Sequence, residues 1–444
     1  MRPYILGGAA LAALLVTSVA PADAASRTLT IDEAVALALQ SNPRLASARA
    51  RVQAADDSAS SVGRRMLPSV HLSEEFQHWN GPFAIAFAIP GAPMAAAFVA
   101  REQTTNSFVA SADQPVLGLL RTNDEREGLS EQSAAARAQI EAAEADLRAT
   151  VETQFLRVFE AQALEQIAAA SVHDLSEQVT VARARLASGV ITNADLLRIQ
   201  VAVANAQQQG LEAHSQGQMA RAELFAAIGI APHDSLEMTL VEPVDRLKTA
   251  RTEGTPGTLA SLLPLAAQRR PEVAQQDHLI LAADRERGAR TFAMLPDVDL
   301  EGAYMRLYGQ PFQPVSSWFV GVKASWAIWE WGATDLARRA AVAQADAARR
   351  DRDTLERQIE SELTSSLAQG EAARGAVGSA ETAVASAEEA YRVTDASVKA
   401  GASTTTDLLQ AQAELTQARL NLTRAQYELA LSDVALTRAT GASK

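Results

Sequence analysis

The chain of 444 residues has no cysteine. That excludes disulfides, thiolate metal sites, a cysteine nucleophile and lipid attachment to an N-terminal cysteine. Aromatic residues are scarce: they reach only 5% while hydrophobic residues reach 48%, so alanine carries much of the apolar content. Such a composition suits closely packed long helices rather than a bulky globular core. Basic residues are in deficit. With a formal net charge of −13 and no basic stripe, nucleic acid is not an expected partner. Beyond the N-terminus, no unbroken apolar run approaches the ~20 residues of a membrane-spanning helix. The nearest, residues 83–100, is interrupted by Pro90, Gly91 and Pro93. A membrane span in this chain must therefore use strands. His71, His78, His173, His214, His233 and His278 lack ligand spacing and have no nucleophile motif nearby. No metal, no cofactor and no enzymatic activity are expected.

The first residues read as a secretory signal. Arg2 supplies the charge, an apolar run follows, and Ala22-Asp23-Ala24 fits a cleavage site, which assigns residues 1–24 to the signal.

What remains is written twice. Asn42-Pro43, Ala54-Ala55-Asp56 and Leu67-Pro68 recur 228 positions later as Arg270-Pro271, Ala282-Ala283-Asp284 and Leu295-Pro296. Gly189, Asp195-Leu196-Leu197 and Gly229 recur 212 positions later as Gly401, Asp407-Leu408-Leu409 and Gly441. The first copy, residues 25–230, is joined by a linker, 231–257, to the second, 258–444. The change of offset gives the first copy 16 extra residues between Leu72 and Pro115, around the apolar segment 81–100, which reads as an external loop or flap. Two copies of this length are a duplication, not a solenoid.

Each copy reads helix, strand pair, long helix, tip, helix. The first helix opens at Thr30 and is expected to continue to about Gly63. Strand pairs are expected at 69–113 and 297–326. Val70, Leu72, Phe76 and Phe108 in the first, with Val298, Leu300, Tyr304, Trp318, Val320 and Val322 in the second, alternate with polar residues. Apolar residues facing lipid and polar residues facing water would suit a barrel wall. Glu74 breaks the apolar series.

Residues 120–188 and 333–400 contain no proline and predict helices on the order of 100 Å long. In the second, Leu355, Ile359, Leu363 and Leu367 step by four, whereas from Ala373 onward the apolar steps alternate four and three. The latter spacing is that of a coiled coil. Shorter helices are expected at 193–229 and 405–440. Between the members of each pair lie tips at 189–192 and 401–404. Gly189 and Gly401 supply the left-handed residue that ends a helix, and Thr192 with Asp195, or Thr404 with Asp407, caps the next one. Each tip is polar and doubled, as expected of an end that docks a partner or narrows a pore. The docking candidates are Gly189, Val190, Thr192, Leu196, Gly401, Ser403, Thr404 and Leu408.

In the order, spacing and duplication of these motifs, with Gln200 and Gln412 following the tips, the mature chain resembles the TolC-like outer-membrane efflux proteins. The resemblance implies a mostly α fold with a small β part. Three protomers would build one α-helical barrel from long hairpins, joined to a shared 12-stranded transmembrane β-barrel. It implies a homotrimer in outer-membrane lipid that extends into the periplasm and meets a periplasmic adaptor, with an inner-membrane transporter below. Acidic residues beyond the second tip ring the closed mouth in that family. Asp407 matches the first, Asp195 is its counterpart in the other copy, and Gln410 stands where some members carry another acid. Val398 and Ser403 replace the tyrosine and arginine that latch the tip in some members. Physical reasoning reaches the shared barrel independently, since four strands cannot close and open edges cannot face lipid. The leading expectation is the exit duct of a tripartite efflux pump. The outer-membrane component of a type I protein secretion system, or a soluble periplasmic adaptor or scaffold, are the alternatives.

Overall fold

The computed structural model describes residues 27–87, 96–230, 238–252 and 257–442. The expected signal segment and Pro90, Gly91 and Pro93 lie outside these residues. The first copy comprises β1 (Arg27–Leu29), α1 (Ile31–Ser41), α2 (Pro43–Arg64), β2 (Ser69–His78), β3 (Phe83–Phe87), β4 (Ala96–Arg101), β5 (Thr104–Pro115), α3 (Gly118–Ala187) and α4 (Asn193–Ile228). After it come β6 (Met238–Leu240) and α5 (Val244–Thr252). The second copy comprises α6 (Leu259–Arg269), α7 (Pro271–Phe292), β7 (Asp297–Tyr308), β8 (Ser316–Ser325), α8 (Ala333–Lys399) and α9 (Thr405–Thr440).

The first expected helix is in fact two. Thr30 caps α1 through a capping box with Glu33, but Asn42 is extended (φ −66°, ψ 119°) and Pro43 starts α2. A residue before proline is pushed out of the helical region, while proline is well suited to the first helical position. Asn42 thus ends one helix and caps the next, its Oδ1 accepting from the Arg44 N–H at 2.8 Å. Its Nδ2 donates to the Ala227 carbonyl at 2.9 Å, tying the end of α4 to this bend. Arg270, its counterpart in the second copy, reaches the Ala439 carbonyl at 3.4 Å in the same way. The repeated Ala-Ala-Asp motif has a similar duty. Arg137 on α3 holds Asp56 at 2.6 Å, and Arg349 on α8 holds Asp284 at 2.8 Å.

The long helices α3 and α8 have 70 and 67 residues, about 105 and 100 Å. Nearest the sheet they run beside α2 and α7, and toward the tips they pair with α4 and α9. Near the sheet the buried seam is built from small residues: Gly128, Ser133, Ala135, Ala138 and Ala142 on α3, with Ala341 and Ala345 on α8. Small side chains let helix axes approach closely. The row stepping by four departs from expectation after Leu363. Ser366 and Gly370 are buried, while Leu367 is half-exposed. The smaller residues occupy the closest approach, and Gly370 faces the Ser432 hydroxyl of α9.

The principal core lies midway along the helices. Phe155, Leu156, Leu224, Phe225 and Ile228 are essentially inaccessible there, with Ala34, Ala38 and Tyr427 beside them. Within the expected linker, the described residues 238–252 form two elements. Strand β6 pairs in parallel with β1, and α5 lies against α9.

Candidate channel wall and docking tips

The four strands β2, β5, β7 and β8 form one antiparallel sheet in that order. Successive residues of a strand point to opposite faces and cross-strand partners share one, so the register assigns each residue to a side. Val70 pairs with Ala112, and Ala112 with Gly302; Leu72 pairs with Ala110, and Ala110 with Tyr304. Leu300 pairs with Val322, Gly302 with Val320 and Tyr304 with Trp318. All ten strand residues singled out in the sequence therefore share one face with these partners. Val70, Leu72, Phe76, Trp318, Val320 and Val322 are strongly exposed in the single chain. From Val298 to Tyr308 the strand rises about 33 Å, or about 25 Å at a 40° tilt, the height of an outer-membrane hydrocarbon belt.

Glu74 now has a place. It pairs in register with Phe108, which pairs with Arg306, and Asn106 donates to the Glu74 carboxylate at 3.2 Å. This row crosses the apolar face toward the outer end of the sheet, with Phe76, Asn106 and Tyr308 in the next row out. The opposite face carries Asp113, Asp297, Asp299 and Glu301 at the helix end, with Lys323 3.2 Å from Glu301.

At the helix end, Trp326 donates to the Met294 carbonyl at 3.2 Å, and Trp329 meets Trp331 edge-on at 5.7 Å. Trp326, Ile328, Trp329 and Trp331 are all exposed, and Trp331 adopts the left-handed backbone region, φ 52°. Amphipathic indoles of this kind mark membrane–water boundaries. Trp326 closes the expected strand pair, and Trp329 and Trp331 lie beyond it. The run Trp326-Ala-Ile-Trp329-Glu-Trp331 was the available signal.

The insertion is not a plain loop. Strands β3 and β4 pair with each other as a separate antiparallel hairpin, with Ile85 opposite Phe98 and Ala86 opposite Ala97. Alternating large and small apolar residues give it strand character.

At the far end, the two tips have the same construction. Gly189 and Gly401 both have φ 75°, with open space where a side chain would begin. In the first tip the Thr192 N–H and hydroxyl donate to Asp195 Oδ2 at 3.0 and 2.7 Å, and the Asp195 N–H returns to Thr192 Oγ1 at 3.3 Å. In the second the corresponding distances are 2.9, 2.8 and 3.2 Å for Thr404 and Asp407. Hydrogen bonds to the ionised form lower a carboxyl pKa. The Thr192 hydroxyl, then its backbone, hold Asp195 below the usual carboxylate range, and Thr404, backbone first, does so for Asp407.

Gly189, Val190, Thr192, Gly401 and Thr404 are exposed, and Ser403 is half-buried. Leu196 and Leu408, expected among the docking residues, are buried instead, Leu196 against Val179, Ala182 and Ile199. An apolar side chain one turn into a capped helix is drawn into the hairpin seam. Asp407 and Gln410 are exposed, and Gln410 donates to Glu414 at 3.1 Å. The face on which Gln410 lacks a charge regains one a turn later. Arg198 was not anticipated. It reaches Asp195 at 3.4 Å and Thr406 Oγ1 at 3.1 Å, linking the first turns of α4 and α9. Its repeat counterpart is Gln410, and that inequality between the copies was the readable clue.

The family model for the outer membrane efflux protein matches residues 34–230 and 262–442, nearly all of both copies. The chain belongs to the outer membrane efflux protein family. The outer membrane efflux protein BepC of Brucella suis biovar 1 (strain 1330) is 24% identical over 284 residues, 63% of this chain and 60% of that protein. The chain thus matches less than two thirds of that relative's length. Among solved structures, the outer-membrane channel OprN shares 20% identity and a TM-score of 0.79, covering 93% of this chain and 90% of that one. VceC from Vibrio cholerae shares 16% identity and a TM-score of 0.78, covering 93% and 96%. At these identities the likeness shows the fold: long helical hairpins with a small β part. As an outer membrane efflux protein the chain is an outer-membrane channel that extends into the periplasm, and the family is not enzymatic.

Proposed function

We propose that three copies of this chain form the exit duct of a tripartite efflux pump. Homologous channels are trimeric components of efflux pumps. The observation that carries the reading is the sheet β2–β5–β7–β8. Among the described residues neither edge strand, β2 or β8, pairs with a further strand, and one face is apolar and exposed. Unpaired edges are intolerable in hydrocarbon, and four strands are about half the smallest closed barrel. Pairing β8 of each copy with β2 of the next closes twelve strands about a threefold axis. The ten apolar residues from Val70 to Val322 then face lipid, and the acidic face lines an aqueous bore.

In this reading the tips are the working end. Gly189, Val190, Thr192, Gly401, Ser403 and Thr404 meet the helical hairpins of a periplasmic adaptor, beneath which sits an inner-membrane transporter. Asp195, Asp407 and Gln410 line the narrowest part of the bore. The duct itself is passive, and the transporter selects the cargo. Electron microscopy of the purified protein should show detergent-stable trimers roughly 130–140 Å long, about 100 Å of helix plus the barrel. Short monomeric particles, or a protein that stays soluble on membrane fractionation, would refute the proposal.

A further inference from the structure

The two copies are built so alike that the seam inside one chain is a template for the seam between chains. Ser69 pairs with Asp113, and their repeat counterparts Asp297 and Ser325 pair in the same way. Arg137 holds Asp56 as Arg349 holds Asp284. The offsets of 228 and 212 residues therefore hold through the strands and the helices beside them. Within the chain the copies meet where β5 pairs with β7 and α3 lies against α7. The same offsets turn that seam into β8 against β2, and α8 against α2. One chain cannot make this contact with itself, because β5 and β7 separate its own β2 from its own β8.

The surfaces so designated are exposed. On the inner seam Gly128 of α3 packs on the α7 backbone at Ala282, and Ala282 and Ala289 are buried. Their counterparts Ala340, Ala54 and Ser61 are all exposed, as is Leu336, the counterpart of the buried Asp124. Small residues at the matching places permit the same close approach of helix axes.

The charges are not copied but reversed. Across the inner seam Glu127 of α3 meets Arg285 of α7 at 2.9 Å. The corresponding residues are Arg339 on α8 and Asp57 on α2, so the base has moved to the long helix and the acid to the short one. Arg339 is 69% exposed and pairs with Asp335 of its own helix at 2.7 Å. Asp57, also exposed, accepts from Gln53 of its own helix at 3.2 Å. A guanidinium has N–H groups left for a second acid, and a carboxylate has a second oxygen. On the water-facing side of the sheet, Ser111 opposite Ala303 becomes Lys323 opposite Glu75, again a base against an acid.

We propose that Arg339 of each copy pairs with Asp57 of the next, and Lys323 with Glu75 of the next, and that the reversal of charge keeps the two kinds of seam from exchanging. The rods α3 and α8 are alike enough to compete for one groove. An α8 laid on another chain's α7 sets Arg339 against Arg285. An α3 laid on another chain's α2 sets Glu127 against Asp57. Each rod is thus refused by the other's partner. These pairings rest on the threefold-duct reading and fix which residues hold its copies in order.

Cysteine pairs test the register. Asp113 opposite Glu301 becomes Ser325 opposite Ser73 of the next copy. S73C/S325C in this cysteine-free chain should therefore oxidise to covalent dimers and trimers on a denaturing gel. S73C/G321C, offset by about 13 Å along the strand, should not. Cross-linking by the second pair, or by neither, overturns the proposal. For the helices, R339E and D57K should each shorten the life of the trimer in hot detergent about three- to tenfold, and R339E/D57K together should recover most of it. A double variant as weak as the two losses combined overturns the charge pairing. Wild-type protein that forms no trimers on an unheated gel would defeat the duct reading itself; trimers that form without the S73C/S325C link defeat these pairings alone.

Discussion

Arg198 stands 3.1 Å from Thr406 Oγ1, so one guanidinium spans the starts of two helices 208 residues apart in sequence. The same side chain reaches Asp195 at 3.4 Å. It is the described hydrogen bond that joins the first tip to the second, where Val398 is buried and Ser403 is too short to reach across. Arg198→Ala should raise the spontaneous open probability of the channel in bilayers. Arg198 is largely exposed, so the increase should be about two- to five-fold rather than orders of magnitude. Arg198→Lys should recover only part of the closure, since an ammonium is not a planar fork.

The capping boxes predict how the tips respond to acid. The folded-state pKa values of Asp195 and Asp407 are depressed by their threonines, so their contribution is full above the ordinary carboxylate value and is lost as pH falls through the lowered one. Tip amides should therefore remain protected from hydrogen exchange at pH 5 and fray only near pH 3 and below. Thr404→Ala should unprotect the first turn of α9 at every pH, with α4 unchanged. Asp407→Asn should keep most of the cap yet weaken divalent-cation block of the current.

Midway along the molecule, a charged cluster should set acid stability. Burial pushes Glu272 up, but hydrogen bonds from Arg270 and Arg438 outweigh it and hold the group at about 2. Arg270 is itself nearly inaccessible and donates to Glu362 at 2.6 Å. Glu272→Gln should lower the unfolding midpoint above pH 5 by no more than about 3 kcal/mol in stability. The deficit relative to wild type should shrink as pH falls toward 2, because the native carboxylate is then being protonated too. Urea melts at pH 7 and pH 3 make the comparison.

On the barrel wall, Val320 pairs with Gly302 near mid-height of the apolar face. Val320→Arg should cost about 2–4 kcal/mol per copy and impair insertion, as measured by heat-modifiable mobility on gels. Ala303→Ser, one residue from Gly302 and on the opposite face, should leave assembly unchanged. Equal effects of the two substitutions would contradict the facing.

What could be read from the sequence was local. The tips were legible because glycine, threonine and aspartate act within one turn, through bonds spanning three residues. The duplication marked Asp56 and Asp284, though not their arginine partners, as counterparts because both copies carry the same motif. The bend at Pro43 was legible in principle, but the apolar period of α1 runs on into α2 and concealed it. Less accessible was anything settled between distant segments. Leu196 and Leu408 sit in motifs that look superficial, yet their burial is decided by the partner helix. Arg198 carries no local motif, and its bond to Thr406 exists only once both hairpins are assembled. The pairing of β3 with β4 was hidden because an uncharged run, broken by proline and glycine, gives no alternation of polar and apolar residues.

The capping bond has one more implication. Asp407 spends Oδ2 on its own threonine, at 2.9 Å to nitrogen and 2.8 Å to the hydroxyl. In the proposed duct its carboxylate therefore cannot swing aside to widen an aperture without breaking the cap. The diameter of a ring made from such groups is fixed by where the helix axes stand, much as the leaves of an iris have no freedom apart from their pivots. Dilation must then carry whole hairpins outward together, and force applied at a tip travels along some 100 Å of rod toward the sheet.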